Sequence, residues 1–102
     1  MEVIKPDITG LILLQPKVFG DDRGYFFESF NRKKYTDNGI TLSFVQDNIS
    51  MSKKGAVRGL HYQVGEKAQG KLCMVISGKV LDIAVDVRFG SPTFGKHYCE
   101  IL

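Results

Sequence analysis

The segment from Lys71 to Val87 reads KLCMVISGKVLDIAVDV, two runs rich in aliphatic and β-branched residues on either side of a Ser-Gly pair. Hydrophobic and polar residues alternate in the second run, which is the pattern of a half-buried strand. Ser77-Gly78 is typical of a tight turn between antiparallel strands. The segment therefore predicts a β-hairpin with strands at 71–77 and 79–87.

The alternation in the second run separates its two faces. One face is apolar and is predicted to belong to the core; it carries Leu81, Ile83, Val85 and Val87. The other face carries Asp82, and on the first run Lys71 has the parity to point with Asp82 into one cavity, where the pairing would keep the lysine charged. Alternatively this second face is solvated, and Lys71 and Asp82 are surface charges. The pattern leaves both interpretations open.

Short strand-like runs bounded by turn residues recur along the chain, at 9–18, 25–30, 40–49, 71–77, 79–87 and 96–102. Asn31 is placed to cap one short helix near 31–38, which Asn38-Gly39 ends. This pattern predicts an all-β antiparallel barrel or sandwich, in one domain over residues 1–102. No turn follows the final run, so we expect an edge strand that awaits a partner and a domain that is incomplete at its C-terminus.

Composition and charge narrow the function classes. The chain has 102 residues, 43% hydrophobic and 25% charged, as a globular protein does. A dispersed net charge of +3 does not predict a nucleic-acid surface and favours a small anionic ligand. No apolar stretch approaches the roughly 18 residues of a membrane span, and residues 1–6 lack a signal peptide's apolar region, so we expect a cytoplasmic protein with no membrane partner. Cys73 and Cys99 form no Cys-x-x-Cys pattern and are expected to be buried free thiols.

Charged residues interrupt hydrophobic sequence in two places, Arg58-Gly59-Leu60-His61-Tyr62-Gln63 and Gln69-Gly70-Lys71. Charge in such surroundings favours a site of chemistry. Arg58 and His61 have opposite strand parity, and a bulge at Gly59 would bring both side chains to one side of the sheet. The alternative is that His61 is a hydrogen-bonded structural residue. No metal site is predicted, because no ligand spacing surrounds either His61 or His97.

Five segments together carry a resemblance to a known family. They are Gly20-Asp21-Asp22-Arg23-Gly24-Tyr25-Phe26-Phe27-Glu28-Ser29-Phe30, Phe44-Val45-Gln46-Asp47-Asn48-Ile49-Ser50, Arg58 to Gln63, Gln69 to Asp82 and Gly90-Ser91-Pro92-Thr93-Phe94-Gly95-Lys96. In order and spacing they resemble the dTDP-4-dehydrorhamnose 3,5-epimerases. The resemblance implies a cupin-like jelly roll and epimerisation of a dTDP-linked 4-keto-6-deoxyhexose at carbons 3 and 5, as in dTDP-rhamnose biosynthesis, with no metal or organic cofactor.

The resemblance also implies a role for each candidate residue. His61 matches the base that removes the proton next to the ketone, and Lys71 matches the residue whose charge stabilises the resulting enolate. Positions that hold the nucleotide-sugar in the family are matched by Arg23, Glu28, Gln46, Asn48 and Arg58. Asp47, in the same polar run, and Asp82, from the strand parity, complete the predicted substrate-binding set. For Arg23 and Glu28 the alternative is an ordinary cross-strand ion pair.

The family's chains continue past the equivalent of Leu102, and that part carries the tyrosine acid, the aspartate that orients the base histidine and the strands that close the barrel. Two hypotheses follow: the N-terminal part of an epimerase, or a truncated, non-catalytic chain that at most binds nucleotide-sugar. The resemblance further implies a homodimer with exchanged N-terminal strands, in which Arg23 and Glu28 serve the neighbour's site.

Overall fold

The computed structural model describes all 102 residues, which divide into two compact units. One unit combines Met1–Ile40 with Met74–Leu102, and the other is Thr41–Cys73. The first unit holds every β-strand and the α-helix, and the second holds a single 3₁₀ turn. The prediction of a single domain over residues 1–102 stays a prediction.

Six short strands form three antiparallel pairs. β1 (Glu2–Ile4) pairs with β2 (Leu13–Gln15), β3 (Val18–Asp21) with β4 (Gly24–Phe27), and β5 (Leu81–Val85) with β6 (His97–Ile101). The remaining elements are α1 (Arg32–Asp37) and the 3₁₀ turn Gly65–Lys67. Antiparallel strands with one short helix confirm the predicted all-β class. No helix of the chain has the length and apolarity that a membrane crossing needs.

The β3–β4 hairpin turns through two residues, Asp22 and Arg23, with Asp21 paired to Gly24 across the turn. Gly24 has a φ of +135°, a backbone conformation that glycine adopts readily and that residues with a Cβ atom rarely adopt. An Asp21 carboxylate oxygen accepts a 2.8 Å hydrogen bond from the backbone N–H of Arg23, which closes the turn from inside. This hairpin therefore places Arg23 at an exposed tip.

Helix α1 forms where the sequence predicts it. Asn31 caps its start by accepting a 3.1 Å hydrogen bond from the backbone N–H of Lys34, and Gly39 follows its end with a φ of +92°. Tyr35 is buried against Phe30 in an edge-to-face contact, with ring centroids 4.9 Å apart, and its hydroxyl donates to the Ser29 carbonyl. These contacts attach the helix to the chain that leads out of β4.

The predicted hairpin between 71–77 and 79–87 is wrong, because β5 pairs with β6 instead. The ladder runs from Val80, which exchanges two backbone hydrogen bonds with Leu102, to Asp86, whose N–H donates to the Lys96 carbonyl. Ser77-Gly78 is still a bend, but the residues directly before it, 71–75, form no strand. Every residue of β6 pairs with one of β5, but no strand lies on the other side of β6, so the final strand is an edge strand as predicted.

The predicted core face of β5 is wrong as well. Leu81 and Ile83 are exposed, whereas Asp82 and Ala84 are partly covered and Asp86 retains only 3% of its accessible surface. No strand packs over the Leu81 face of this two-stranded sheet. For the same reason Cys99, paired with Ile83 on that face, is exposed; Cys73 is exposed too. Both thiols are free, as predicted, but their predicted burial is wrong.

The Thr41–Cys73 unit contains no strand, so the strands predicted over 40–49 and 71–77 are wrong. Strand-forming residues adopt a ladder only when a partner supplies hydrogen bonds, and here the backbone bonds are local turns, such as Ala56 N–H to the Lys53 carbonyl. Large apolar side chains consequently stay exposed, among them Val45 at 92% and Val57 at 91%.

Candidate active site

The nine predicted site residues fall into both units. Thr41–Cys73 holds Gln46, Asp47, Asn48, Arg58, His61 and Lys71, and the other unit holds Arg23, Glu28 and Asp82. Each group is described within its own unit.

His61 folds back onto the glycine two residues before it. Gly59 has a φ of +123°, and a methyl group on its Cα would lie 3.2 Å from the Nδ1 atom of His61. Glycine adopts this φ without strain and leaves the space beside Nδ1 empty. The predicted bulge at Gly59 is wrong, because no strand ladder runs through this segment. At Gly59 the backbone instead has a positive φ, and the His61 imidazole lies against it.

Arg58 is held by neutral oxygen atoms. Its Nε donates to the Ser52 hydroxyl at 2.9 Å, and its Nη2 donates to the Met51 carbonyl at 3.1 Å. These bonds occupy one edge of the guanidinium and leave its charge uncompensated. Such an arginine can offer its remaining fork to an anion.

Gln46 and Asn48 hold each other through a 3.1 Å hydrogen bond from the Gln46 side-chain nitrogen to the Asn48 side-chain oxygen. Asp47 lies between them and takes no part in that bond. All three side chains are exposed. The pair leaves further amide donors and acceptors free for a polar ligand.

Lys71 follows a glycine that packs against a neighbouring segment. A methyl group on Gly70 would meet the far end of the Leu42 side chain, which would have to move aside. The contact places the Lys71 segment beside the Leu42 segment of the same unit. Lys71 itself is exposed.

Arg23 is paired with Asp21 at the tip of the β3–β4 hairpin. Its Nη2 lies 2.6 Å from Asp21 Oδ2, and its Nε lies 3.3 Å from Oδ1 and 3.2 Å from Oδ2. The guanidinium lowers the pKa of the Asp21 carboxyl, and the carboxylate raises the pKa of Arg23. A recess of about 420 Å³ lies beside this pair and is lined by hairpin residues that include Phe19 and Phe26.

Glu28 lies between β4 and α1 and binds two residues of the helix start. Its carboxylate is 2.8 Å from Lys34 Nζ and accepts a 3.1 Å hydrogen bond from Asn31 Nδ2. Lys34 and then Asn31 lower the pKa of Glu28. The alternative interpretation, an ion pair between Arg23 and Glu28, is therefore wrong: each has a different partner, close by in sequence.

Asp82 lies on β5 opposite Glu100 of β6. The Tyr98 hydroxyl donates a 2.6 Å hydrogen bond to the Glu100 carboxylate, and this bond, together with burial, raises the pKa of Tyr98. Strand parity left open a pairing of Lys71 with Asp82, and the argument for that pairing fails because 71–77 forms no strand. No group of three or more His, Cys, Asp and Glu side chains is arranged to hold a metal ion.

Sequence reasoning missed the residues that hold the candidates in place. Asp21 and Ser52 orient the two arginines, and Lys34 binds Glu28. For Asp21 a signal exists, since an aspartate two residues before a turn residue commonly caps that residue's N–H. For Ser52, six residues from Arg58, the sequence carries none.

Comparison with known proteins identifies relatives over nearly the whole chain. The family model of dTDP-4-dehydrorhamnose 3,5-epimerase matches residues 5–102. The dTDP-4-dehydrorhamnose 3,5-epimerase of Shigella flexneri is 55% identical over 97 residues, which are 94% of this chain and 54% of the relative. That of Pseudomonas aeruginosa is 53% identical over 103 residues, which are 100% of this chain and 56% of the relative. The chain thus spans about half the length of the curated relatives it matches.

Solved structures agree. A dTDP-4-dehydrorhamnose 3,5-epimerase from Bacillus anthracis with TDP and PPi bound has a TM-score of 0.93 at 48% identity, over 99% of this chain and 58% of that one. A dTDP-6-deoxy-D-glucose-3,5-epimerase from Legionella pneumophila in complex with dTDP-4-keto-L-rhamnose has a TM-score of 0.92 at 52% identity, over 99% and 54%. This likeness confirms the predicted cupin-like jelly-roll class.

Proposed function

The chain belongs to the dTDP-4-dehydrorhamnose 3,5-epimerase family, and we propose that it serves the epimerisation of a dTDP-linked 4-keto-6-deoxyhexose at carbons 3 and 5, in dTDP-rhamnose-type biosynthesis. The observation that carries this proposal is the family match over residues 5–102. The Legionella pneumophila relative, in complex with dTDP-4-keto-L-rhamnose, supports a sugar nucleotide as the substrate.

The proposed chemistry begins with proton removal from a carbon next to the ketone. His61 takes that proton, since a neutral imidazole is a suitable base near pH 7. The electron pair moves onto the keto oxygen, and the ammonium of Lys71 stabilises the enolate that forms. A proton then returns to the opposite face of the ring. In the family pattern the tyrosine acid lies past the equivalent of Leu102, so the proposal for this chain covers the base and the enolate stabiliser.

The remaining candidates bind the substrate in this proposal. Arg23 and Arg58 suit the diphosphate, because a guanidinium donates two hydrogen bonds at once to phosphate oxygens. In this proposal the polar groups of the sugar and of the nucleobase are bound by Glu28, Gln46, Asp47, Asn48 and Asp82. The keto group itself acidifies the neighbouring C–H bonds, so the proposed reaction needs neither a metal nor an organic cofactor.

We further propose a homodimer with exchanged N-terminal strands, in which Arg23 and Glu28 serve the neighbouring site. Two-stranded sheets with open edges and the exposed hairpin rings of Tyr25 and Phe26 support self-association. Static light scattering at micromolar concentration tests it, and a monomer would contradict it.

The proposed location is the cytoplasm, because two exposed free thiols suit a reducing compartment. The alternative of a non-catalytic chain is not favoured, since the relatives described above are epimerases.

The decisive experiment measures solvent deuterium uptake at carbons 3 and 5 of the keto sugar. We expect exchange with the unaltered protein, loss of exchange in His61→Ala and retention in His97→Ala. His97 lies on β6, outside the proposed site, and serves as the matched control. If the folded, unaltered protein gave no more deuterium exchange than a sample without protein, that result would contradict the proposed function.

A further inference from the structure

We propose that Asp21 is a positioning residue for diphosphate recognition: it grips one edge of the Arg23 guanidinium and leaves the opposite edge open to phosphate oxygens. This inference rests on the proposed function, which assigns Arg23 to the diphosphate. It adds a residue that does not contact the ligand and acts through the arginine.

The grip consists of several contacts between the same two residues. The Asp21 carboxylate accepts from Nη2 at 2.6 Å, from Nε at 3.2 and 3.3 Å, and from the Arg23 backbone N–H at 2.8 Å. One carboxylate thus fixes the backbone turn and the side chain together.

The donors that remain on Arg23 suit a diphosphate. A guanidinium has five N–H groups, and the carboxylate engages the Nε–H and one Nη2–H. Both N–H groups of Nη1 and the second N–H of Nη2 remain, and these form the end-on fork that binds phosphate bidentately. The side chain is 91% exposed, so this fork is accessible to a ligand.

The two proposed diphosphate arginines share this arrangement. Arg58 is also held along its Nε and Nη2 edge, by Ser52 and the Met51 carbonyl. The holders differ in charge: those of Arg58 are neutral, whereas Asp21 is an anion. Fixing an arginine in advance reduces the rotamer freedom that it loses on binding.

The charge of Asp21 and its positioning effect would change the affinity for diphosphate in opposite directions. The direction of the change in a variant therefore tests the proposal. A carboxylate beside the site repels a diphosphate, so pure electrostatics predicts tighter binding when Asp21 is neutralised. Positioning predicts weaker binding. Asp21→Asn separates the two, because asparagine keeps an oxygen for the Arg23 backbone N–H and loses only the charged grip.

The experiment measures binding of dTDP, pyrophosphate and thymidine by calorimetry, using the unaltered protein, Asp21→Asn and the control Asp22→Asn. Asp22→Asn removes the same negative charge as Asp21→Asn, one residue away, but Asp22 does not pair with Arg23. We expect Asp21→Asn to bind dTDP and pyrophosphate about threefold to fivefold more weakly, near the upper limit for an exposed ion pair. Thymidine binding should be unchanged, and Asp22→Asn should match the unaltered protein or bind slightly tighter.

Equal or tighter dTDP binding by Asp21→Asn would overturn the proposal while leaving the proposed function intact. Absence of dTDP binding by the unaltered protein would overturn the proposed function instead. In that case the NMR signal of the Arg23 Nε–H decides the positioning role. It should be protected from solvent exchange in the unaltered protein and in Asp22→Asn, but not in Asp21→Asn; equal protection in all three would contradict the grip.

Discussion

Asp86 binds the guanidinium of Arg88 through two parallel hydrogen bonds, Nε to Oδ1 and Nη2 to Oδ2, each 2.9 Å long. The same carboxylate accepts hydrogen bonds from the hydroxyl groups of Ser91 and Thr93, each at 2.6 Å. It is inaccessible to solvent. Asp86 therefore organises the loop that connects β5 to β6, and these donors lower the pKa of its carboxyl well below the usual range.

Replacing Asp86 should make the stability of the protein less dependent on acid pH. Because the folded pKa lies below the unfolded one, the carboxylate stabilises the fold at neutral pH, and this contribution declines as the pH falls below about 4. We expect Asp86→Asn to melt several degrees lower at pH 7, with the difference shrinking toward pH 3. Thermal melting followed by circular dichroism measures both effects. The exposed Asp7→Asn is the control, and an unchanged melting temperature of Asp86→Asn at pH 7 would contradict the role.

Gly59→Ala should displace His61 and reduce its activity as a base. A methyl group would strain the backbone at a φ of +123° and press on Nδ1 at 3.2 Å. Misplacement of a catalytic group by about 1 Å costs up to roughly a hundredfold in rate, so we expect deuterium exchange to fall by about tenfold to a hundredfold. Gly55→Ala is the matched control, since Gly55 has a φ of +83° but nothing near its Cα. Equal losses in both variants would assign the effect to backbone strain alone.

Ser52→Ala should weaken dTDP binding through Arg58. The substitution removes the acceptor of the 2.9 Å bond from Arg58 Nε and leaves only the Met51 carbonyl on that edge. We expect about threefold to tenfold weaker binding by calorimetry, the size of the net contribution of one ordinary hydrogen bond. The exposed Ser50→Ala should bind as the unaltered protein does. Unchanged affinity in Ser52→Ala would show that Arg58 needs no holder.

Tyr35→Phe should lower the free energy of unfolding by about 1 kcal/mol, because the buried hydroxyl donates to the Ser29 carbonyl, which would lose its partner. Burial raises the pKa of this tyrosine, so it should also ionise late in an alkaline titration. Urea denaturation gives the free energy. Tyr62→Phe is the control, since Tyr62 is 67% exposed, and an equal effect in both would contradict the anchoring role of Tyr35.

Local signals predicted α1 well and the partner of β5 badly. The Asn31 cap and the Asn38-Gly39 end lie at the two ends of the same short helix. Each helix boundary is therefore determined by residues close by in sequence. Ser77-Gly78 is also a local signal, and it suggested a partner next in sequence. The partner that forms, β6, lies beyond a loop that Asp86 holds through Arg88, Ser91 and Thr93, and no periodicity in the sequence encodes those contacts.

The candidate site shows the same division. The residue types and motif order single out His61, Lys71 and both arginines as candidates, because chemistry restricts which side chains can act as bases or bind phosphate. Their holders were not predicted. The partners of Arg23 and Glu28 depend on the exact path of the hairpin turn and the helix start. The alternative of an ion pair between these two residues does not form.

The exposed thiol of Cys73, two residues beyond Lys71, provides an intrinsic labelling position beside the proposed site. With Cys99 replaced by serine, a single maleimide fluorophore attached there would report ligand titrations by its change in emission. The same accessibility makes the protein sensitive to air oxidation and alkylating reagents. Preparations without reductant should therefore accumulate disulfide-linked pairs of chains, which would complicate any measurement of the native assembly.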